Sequence, residues 1–442
     1  MYNNIDINNS INIEDISNEM YLLMSVLYPI CRSITGDGLR KTLQIIQQHI
    51  PLVIHEVPSG TQVFDWTIPK EWNIRDAFIK NSQGEKIINF HQSNLHIVNY
   101  SINIHEKMSL QDLKGHLFTL EDRPDWIPYR TSYYKENWGF CLSHNQLLEL
   151  KDEEYEVYID SSLDNGSLTY GEYYIRGKKA DEIIISCHIC HPSLCNDNLS
   201  GIALVTFLAK HLSQISPSYS YRFLLLPGTI GSITWLALNE ANVDKIKHGL
   251  VVTCVGDPGK SHYKKSRQGN AEIDKAVTHV LKNSGQDYEI MEFSPYGYDE
   301  RQFCSPGFNL PVGCFMRSPH GTYPQYHTSA DNLELVQPQY LADSLSKILS
   351  VLNIIENNKK YLNQNPKCEP QLGKRGLYSA IGGQIDPKKN EMAMLWVLNL
   401  SDGNQTLLEI SEKSGIEFDV IKKTADTLLQ FNLLEEKTEF SD

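Results

Sequence analysis

The chain has 442 residues, of which 41% are hydrophobic and 21% are charged, a composition typical of globular proteins. Its formal net charge of −14 disfavours wholesale binding to the phosphate backbone of nucleic acids. No apolar run approaches the roughly 20 residues of a membrane-spanning helix, and the polar, acidic N-terminus lacks the features of a signal peptide. Because the nine cysteines are odd in number, a complete disulfide framework is not expected, and we predict a cytoplasmic protein with reduced thiols.

The first part of the chain divides into a helical segment and a segment rich in β structure. Residues 17–50 predict a pair of helices, because apolar residues recur at helical spacing as far as Leu27 and Pro29 then interrupts the pattern. Within residues 58–164 aromatic and β-branched residues dominate, and only residues 110–119 keep a helical period. We therefore predict a small β-rich unit, whose aromatic residues form a core in preference to a ligand platform.

Strands and helices alternate in the next part of the chain, as they do in proteins built on a parallel sheet. The predicted strands are residues 183–187, 221–226, 250–254 and 311–315, and the predicted helices are residues 200–212, 232–239, 271–283 and 337–355. Buried strands followed by amphipathic helices predict a mixed α/β sheet with helices on both faces. The N-terminal helices belong to this block, so residues 1–57 and 165–365 form one discontinuous domain, interrupted by the β-rich insertion at residues 58–164.

The last part of the chain, residues 366–442, is predicted to be a linker followed by a winged helix. Residues 363–386 are rich in proline, glycine and lysine; a helix at 389–398, a helix–turn–helix at 407–431 and a strand at 433–439 come after them. Acidic residues outnumber basic ones in this part, whereas a DNA-reading domain needs a basic face. We expect protein–protein contact or homo-oligomerisation through this domain, and no nucleic-acid binding.

The residues best suited to chemistry follow the first central strand, where two histidines, three cysteines and an aspartate fall close together. One interpretation is a structural zinc site on Cys187 and Cys190. The chain has no second C-x-x-C pair, however, and Cys187 and His188 point to opposite sides of a strand. The other interpretation takes His188 from the strand end and Asp197 from the start of the next helix. Taken singly, Asp197 could equally be a helix N-cap and His188 a core histidine.

Two later strand ends carry the same residue types. Asp257 follows the third predicted central strand in a turn, and His327 lies in a loop ahead of a long helix. Asp331, four residues further on, is suited either to orient His327 or to cap that helix. Because the carboxyl ends of parallel strands share one edge of a sheet, the addition of these residues to His188 and Asp197 favours a metal centre at that edge.

This order of residues resembles that of the co-catalytic zinc aminopeptidases with a phosphorylase/hydrolase-like fold. Residues 196–201 are similar to their N-D-N-x-S-G motif, and residues 298–303 are similar to a substrate-side Ser-Asp-x-x-x-Phe stretch. Over nearly its whole length the chain also resembles a narrower bacterial group of aminopeptidase-like proteins with an inserted β domain and a C-terminal winged helix. Members of that group often sit among polysaccharide-biosynthesis functions, and residues 27–36 and 227–232 share the resemblance.

The resemblance implies a zinc-dependent hydrolase that acts on an N-terminal peptide bond or on a related amide in a small-molecule substrate. The implied metal ligands are His188, Asp197, Asp257 and His327. The expected substrate contacts are Asp299, Arg301 and Tyr326.

Three positions depart from the aminopeptidase pattern. Gly228 and Thr229 stand where those enzymes carry adjacent glutamates, one a general base and one a metal ligand. Cys190 stands where an aspartate is usual. His191 and Glu300 are the nearest candidates for the missing base, and a structural role is the alternative for His191.

The loss of a glutamate ligand leaves the number of metal ions open. The sets that would hold a single ion are His188, Asp197 and Asp257, or Asp197 with His188 and His327. The missing glutamates also favour a second hypothesis, a catalytically weakened homologue that binds a metal and an amine or amino-sugar ligand. A third is a winged-helix regulator with a sensory α/β domain, against which the acidic winged helix argues.

Overall fold

The structure, a computed structural model, describes residue 7, residues 12–377 and residues 387–437. The chain divides into two compact units. The larger unit is Asn9–Leu349, and the smaller unit combines Met1–Asn8 with Ser350–Asp442. The extreme N-terminus, the end of the predicted linker at residues 378–386 and the end of the last predicted strand at residues 438–439 lie outside the described residues. Among the helices that are described, none is both long enough and apolar enough to cross a membrane.

The larger unit contains most of the secondary structure. Its strands are β1 (Val53–Pro58), β2 (Gln62–Val63), β3 (Trp66–Thr67), β4 (Glu71–Lys80), β5 (Lys86–Asn89), β6 (Ile104–Ser109), β7 (Leu117–Phe118), β8 (Phe140–Cys141), β9 (Glu154–Asp164), β10 (Ser167–Ile175), β11 (Glu182–His188), β12 (Ser220–Leu226), β13 (Ile246–Val252), β14 (Ser261–Lys264), β15 (Tyr288–Met291) and β16 (Val312–Met316). Its helices are α1 (Ile13–Leu27), α2 (Asp37–Ile46), α3 (Leu110–Leu113), α4 (His144–Leu148), α5 (Ser200–Leu212), α6 (Ile230–Asn239), α7 (Glu272–Lys282), α8 (Glu300–Phe303) and the greater part of α9 (Pro338–Asn357).

The central feature of this unit is an eight-stranded mixed sheet in the order β1-β10-β12-β11-β13-β16-β14-β15. Its four middle strands, from β12 to β16, are parallel to one another. Every residue of β11 is buried, as expected of a continuous apolar strand covered on both faces. The predicted mixed α/β sheet is confirmed, and the carboxyl ends of its middle strands open onto one edge, where binding sites of such sheets form.

A second, antiparallel sheet lies in the β-rich part of the chain, in the order β5-β4-β9-β6. Its core includes Trp72 and Tyr100, whose rings stack 5.8 Å apart. The helical period at residues 110–119 gives only the short helix α3, followed by a 3-10 turn at Lys114–His116 and then β7. Gly115 lies in that turn, and glycine is a poor helix former, which explains why the helix does not extend further.

Among its described residues, the smaller unit contains a three-stranded antiparallel sheet, the end of α9 and three further α-helices. Its strands are β17 (Lys360–Asn363), β18 (Asp402–Thr406) and β19 (Leu434–Glu436), and its helices are α10 (Pro387–Leu400), α11 (Leu407–Ser414) and α12 (Phe418–Gln430). A capping box between Thr406 and Glu409 starts α11, and Gly415 ends it in the left-handed conformation that favours glycine. The turn to α12 follows directly, which gives the helix–turn–helix of a winged helix.

Candidate metal centre

The centre forms where β11 ends and the chain turns into α5. His188 is the last residue of β11 and is fully buried. Asp197 lies in an irregular turn before α5, with a non-helical φ of −110° and ψ of 83°. The N-cap of α5 is Leu199, and no side chain caps that helix. Asp197 is therefore not the N-cap of α5, and its carboxylate is directed to other groups.

Three histidines surround the carboxylate of Asp197. The Nε2 atom of His188 lies 2.7 Å from Oδ1, and on the other oxygen Oδ2 the Nε2 atoms of His327 and His191 lie at 3.0 Å and 3.9 Å. Zinc is bound by imidazole and carboxylate at about 2.0–2.2 Å in tetrahedral geometry, which separates neighbouring ligand atoms by roughly 3.3 Å. The spacing and chemistry of these groups therefore fit a divalent metal ion.

Two buried atoms in this cluster lack hydrogen-bond partners. Asp197 Oδ2 and His327 Nε2 lie 3.0 Å apart but are not aligned for a hydrogen bond, and neither has another partner among the described residues. A buried polar atom without a hydrogen bond costs free energy, and a bound ion or water, a catalytic role or local strain accounts for such atoms in native proteins. This pair supports the assignment of a metal-binding role to the cluster.

The protonation states of the cluster suit metal binding. Burial opposes the ionisation of Asp197, but the neighbouring imidazoles of His191 and His188, the latter at hydrogen-bond distance, outweigh it and hold the pKa of the carboxyl well below its usual range. Burial lowers the pKa of His191 well below 6.5, so its imidazole is neutral near pH 7. Metal ligation requires an ionised carboxylate and neutral imidazoles.

A second group with suitable ligand atoms shares Asp197. Cys254, His320 and Asp197 each offer an atom within 4.8 Å of the others, as do His188, His191 and Asp197. Sequence reasoning did not single out Cys254 or His320 as ligands. The available signal was position, because His320 follows strand β16 just as His188 ends β11, and strand ends meet at this edge of the sheet.

The inserted segment positions His327. The backbone N–H of Tyr129 donates to the carbonyl oxygen of His327 at 2.8 Å, and Pro128 forms an isolated antiparallel bridge with Thr328. His327 has a φ of +54°, a conformation that costs energy in a residue with a side chain and is held by its surroundings. The β-rich segment is thus part of the wall of the centre.

Asp257 does not join the three histidines. Its Oδ1 accepts from the side chain of Asn196 at 3.1 Å and from the backbone of Ser318 at 3.3 Å, and its Oδ2 accepts from the backbone of Gly259 at 2.9 Å and from the Ser318 hydroxyl. Both oxygens are thus engaged by the loops around them. His191, expected to be a base or a structural residue, lies in the cluster in its place.

Asp331 is hydrogen-bonded to the turn that carries Asp197 and makes no hydrogen bond with His327 among the described residues. It accepts from the backbone N–H groups of Asn196 at 2.6 Å and Asp197 at 3.0 Å, and from the hydroxyl of Tyr323 at 3.2 Å. Burial raises the pKa of Asp331 to about 7. Its role is to hold the turn that presents Asp197.

The ring of Tyr298 fills the space beside Gly228. A Cβ atom at Gly228 would lie 1.9 Å from Cε1 of Tyr298. The same ring lies 4.1 Å from that of His188, and its hydroxyl lies 3.3 Å from the Gly228 carbonyl and 3.4 Å from the sulfur of Cys190. An aromatic ring therefore occupies the space next to the position where the aminopeptidase pattern has a glutamate.

Glu300, a candidate for the missing base, has other partners. It forms an ion pair with Lys264, and its oxygens accept from the backbone N–H of Tyr298 at 3.1 and 3.2 Å. The whole side chain is buried. This arrangement gives no support to proton transfer by Glu300.

The three residues expected to contact substrate lie in different environments. Asp299 is buried; its Oδ1 accepts from Ser232 at 2.7 Å, its Oδ2 has no partner among the described residues, and burial raises its pKa to about 6. Arg301 is exposed. Tyr326 stacks on His327 with ring centroids 3.9 Å apart, so Tyr326 lies directly at the centre.

Comparison with known proteins identifies two segments and a close relative. A family model described as a domain of unknown function (DUF4910) matches residues 21–358, and one described as a winged helix-turn-helix matches residues 359–436. A protein of Clostridium acetobutylicum, whose name pairs polysaccharide biosynthesis with an aminopeptidase-like domain, is 58% identical over 423 residues. The match covers 96% of this chain and 97% of that protein.

Solved structures share the fold. A crystal structure described as that of a peptidase from Clostridium acetobutylicum has a TM-score of 0.92 at 56% identity, covering 96% of this chain and 98% of that one. A zinc aminopeptidase from Bacillus subtilis has a TM-score of 0.56 at 11% sequence identity, and the match covers 76% of this chain and 94% of that one. A peptidase M28 precursor from Shewanella amazonensis has a TM-score of 0.54 at 14% sequence identity, and the match covers 78% of this chain and 96% of that one. The predicted aminopeptidase-like fold and winged helix are confirmed.

Proposed function

Because this chain belongs to the family described as a domain of unknown function (DUF4910) and has the fold of zinc aminopeptidases, we propose that it is a zinc-dependent hydrolase of the peptidase type. Its substrate is an N-terminal peptide bond or a related amide in a small molecule. The name of the Clostridium acetobutylicum relative supports a link to polysaccharide biosynthesis.

The observation that carries this proposal is the cluster of three histidines on the Asp197 carboxylate, in which two buried atoms make no hydrogen bond. Asp197 Oδ2 and His327 Nε2 are buried, close together and without a hydrogen bond, and His188 and His191 complete a ligand set around them. A bound zinc ion would supply Lewis-acid polarisation of an amide carbonyl and would lower the pKa of water. Asp331 keeps the turn before Asp197 in place through two backbone hydrogen bonds.

The residues around the cluster have distinct roles in this proposal. Tyr326 stacks on His327 and limits where a substrate can approach the cluster. The hydroxyl of Tyr298 stays protonated because burial raises its pKa well above 10, so it can donate a hydrogen bond at the position beside Gly228. Asp299 has a buried oxygen without a partner and is suited to accept a hydrogen bond or a proton.

One observation favours a second candidate function. The Tyr298 ring fills the space beside Gly228, and neither Gly228 nor Thr229 can accept a proton from water as a glutamate does. A homologue that binds a metal and an amine or amino-sugar ligand without cleaving it is consistent with this arrangement. The two candidates share the metal centre and differ only in turnover.

The test uses the purified full chain. Zinc content after dialysis is measured by mass spectrometry for the wild type, Asp197→Asn and His188→Ala, with His105→Ala as the matched control because His105 is 64% exposed on the inserted sheet. Hydrolysis of aminoacyl fluorogenic amides is then measured with added zinc or cobalt. We expect zinc in the wild type and the control, loss of zinc in the two cluster variants, and hydrolysis only where zinc is retained.

Each outcome separates the candidates. Zinc retention in Asp197→Asn equal to the wild type would overturn the metal assignment. Zinc binding with no turnover above that of Asp197→Asn across the panel would overturn the hydrolase and leave the ligand-binding homologue. Circular dichroism of each variant establishes that lost zinc does not simply reflect unfolding.

A further inference from the structure

A continuous run of aromatic rings, here called the aromatic wall, leads from the metal centre to the surface. Its members are Tyr129, Tyr133, Tyr134 and Trp66, all from the β-rich segment. The ring of Tyr129 lies 5.2 Å from that of His191 and 5.1 Å from that of His327. The wall therefore begins in contact with the candidate ligands themselves.

Successive contacts continue the wall outward. The hydroxyls of Tyr129 and Tyr133 lie 2.9 Å apart, the rings of Tyr133 and Tyr134 lie 6.4 Å apart, and Tyr134 meets Trp66 edge to face at 5.5 Å. Tyr129 is only 5% exposed, whereas Tyr134 and Trp66 are 53% and 45% exposed. The inner end is thus buried beside the metal ligands, and the outer end faces solvent.

Exposed aromatic rings of this kind need a physical reason. Large aromatic side chains gain free energy on burial, and clustered exposed ones mark binding surfaces more often than isolated ones do. The wall therefore offers an exposed aromatic surface at its outer end, while its inner end lies beside the metal centre.

We infer that the aromatic wall is the binding subsite for the pyranose ring of an amino-sugar amide, whose amide group lies at the metal centre. An apolar peptide side chain would be best served by an enclosed pocket, because all of its surface gains from burial. A pyranose ring has an apolar C–H face that can stack on an aromatic ring and a rim of hydroxyls that remains in water. The half-exposed rings of Tyr134 and Trp66 match that division.

One further observation agrees with this ligand class. The 58% identical relative carries polysaccharide biosynthesis in its name. The inference rests on the proposed function for the amide chemistry, but the binding of the sugar ring itself does not require turnover.

The experiment is saturation-transfer-difference NMR on the zinc-loaded full chain, with N-acetylglucosamine as the probe and leucine amide as the competing class. The variants are Trp66→Ala and Tyr134→Ala. The conservative variant is Tyr134→Phe, and the matched control is Tyr288→Ala, whose ring is 38% exposed on the edge strand β15. We expect saturation of the pyranose ring protons and about tenfold weaker binding in the two alanine variants, with Tyr134→Phe and Tyr288→Ala close to the wild type.

The outcomes distinguish this inference from the proposed function. Equal N-acetylglucosamine binding in all variants, or no binding by the wild type, would overturn the subsite. Leucine amide binding that depends on Trp66 and Tyr134, without sugar binding, would overturn the ligand class. Zinc content is measured in every sample: sugar binding that depends on the wall in a chain without zinc would support the subsite while the proposed function fails.

Discussion

At the scale of single residues, the contacts of His191 and Asp257 differ from those that the sequence led us to expect. His191 lies 3.9 Å from the shared carboxylate of Asp197, whereas Asp257 is engaged by Asn196 and Ser318. We expect His191→Ala to weaken zinc binding by more than about 100-fold, beyond the loss typical of a residue that only orients a ligand. Asp257→Asn should stay near the wild type. Competition with a chelating zinc dye measures both affinities.

This comparison contains its own control, since both variants remove one titratable group from a buried position near the same edge of the sheet. If Asp257→Asn loses zinc and His191→Ala does not, the ligand set implied by the aminopeptidase resemblance is correct. Equal losses in both would indicate a general disturbance of the loops, which urea unfolding of each variant would detect.

Gly228 and Tyr298 form a second residue-scale pair. An alanine at position 228 would place its Cβ 1.9 Å from the Tyr298 ring, so Gly228→Ala should cost roughly 1–3 kcal/mol of unfolding free energy through overpacking. The double variant Gly228→Ala, Tyr298→Ala should lose less than the sum of the two single variants, because the clash is gone. Urea unfolding of the four proteins measures this coupling. Additive losses would show that the ring does not occupy this space.

The sequence predicted part of the centre because part of it follows from chain order. His188, Asp197 and His327 lie at strand ends or in the loops beyond them, and the parallel sheet brings such positions to one edge. Apart from the one from Gly259, the hydrogen bonds that engage Asp257 come from residues 61 positions away in either direction along the chain. Contacts of that kind depend on loop conformation, which periodicity and motif spacing do not encode.

At the scale of elements, Arg40 of α2 ties together three strands. It forms ion pairs with Glu56 of β1 at 2.9 Å and Glu71 of β4, and Glu71 also accepts from the backbone N–H of Ser167 in β10 at 2.9 Å. The hydrogen bond from Arg40 has the largest effect on the pKa of Glu71 and lowers it. Burial acts in the opposite direction, and the backbone hydrogen bond from Ser167 lowers the pKa further, so that it is about 2. The ionised form of Glu71 therefore stabilises this junction.

The pH dependence of this contribution has a definite sign. The pKa of Glu71 is lower in the folded chain than the value of about 4.3 expected when unfolded, so its contribution is complete above about pH 5 and is lost as the pH falls toward 2. Because the group is partly solvated, we expect Glu71→Gln to cost only about 1 kcal/mol at pH 7. The difference from the wild type should shrink below about pH 4.

Urea unfolding of the wild type and Glu71→Gln at pH 7, 5, 4 and 3 measures this difference, with Glu121→Gln as the control because Glu121 is exposed. A difference that stays constant over the whole range would contradict the role of the ionised carboxylate. Local periodicity predicted the helix α2, but the ion pairs of Arg40 lay beyond it, since Glu56 and Glu71 are 16 and 31 residues further along the chain.

Elements with strong patterns were predicted well, and weak ones were not. The predicted helix at residues 200–212 matches α5, Ser200–Leu212, in which every residue but Lys210 is buried. The helix predicted at residues 110–119 ends at Leu113, because Gly115 and the pairing of β7 with β8 outweigh a short apolar period. A long apolar helix that is buried on all sides has few alternative conformations. A short helical pattern can be overridden when the same residues pair with a strand elsewhere in the chain.

At the scale of the whole molecule, the net charge of the chain disfavours DNA binding by the winged helix. The formal net charge of the chain is −14, and on α12 Lys422 forms an ion pair with Asp426 at 2.9 Å. Asp419 lies on the same helix and accepts from Asn353 at 3.3 Å. A lysine neutralised by its own helix contributes little to phosphate binding, which supplies most of the affinity of a non-specific DNA complex.

We therefore expect the full chain to show no retention of duplex DNA in a mobility-shift assay at about 150 mM salt. Asp419→Asn with Asp426→Asn removes two opposing charges and frees Lys422, so it should increase any residual binding at low salt, while Glu121→Gln should leave it unchanged. Binding of DNA by the wild type that weakens steeply with added salt would contradict this expectation and would support the hypothesis of a winged-helix regulator. If such binding is absent, sedimentation over a range of concentrations measures whether the chain instead associates with a second copy of itself.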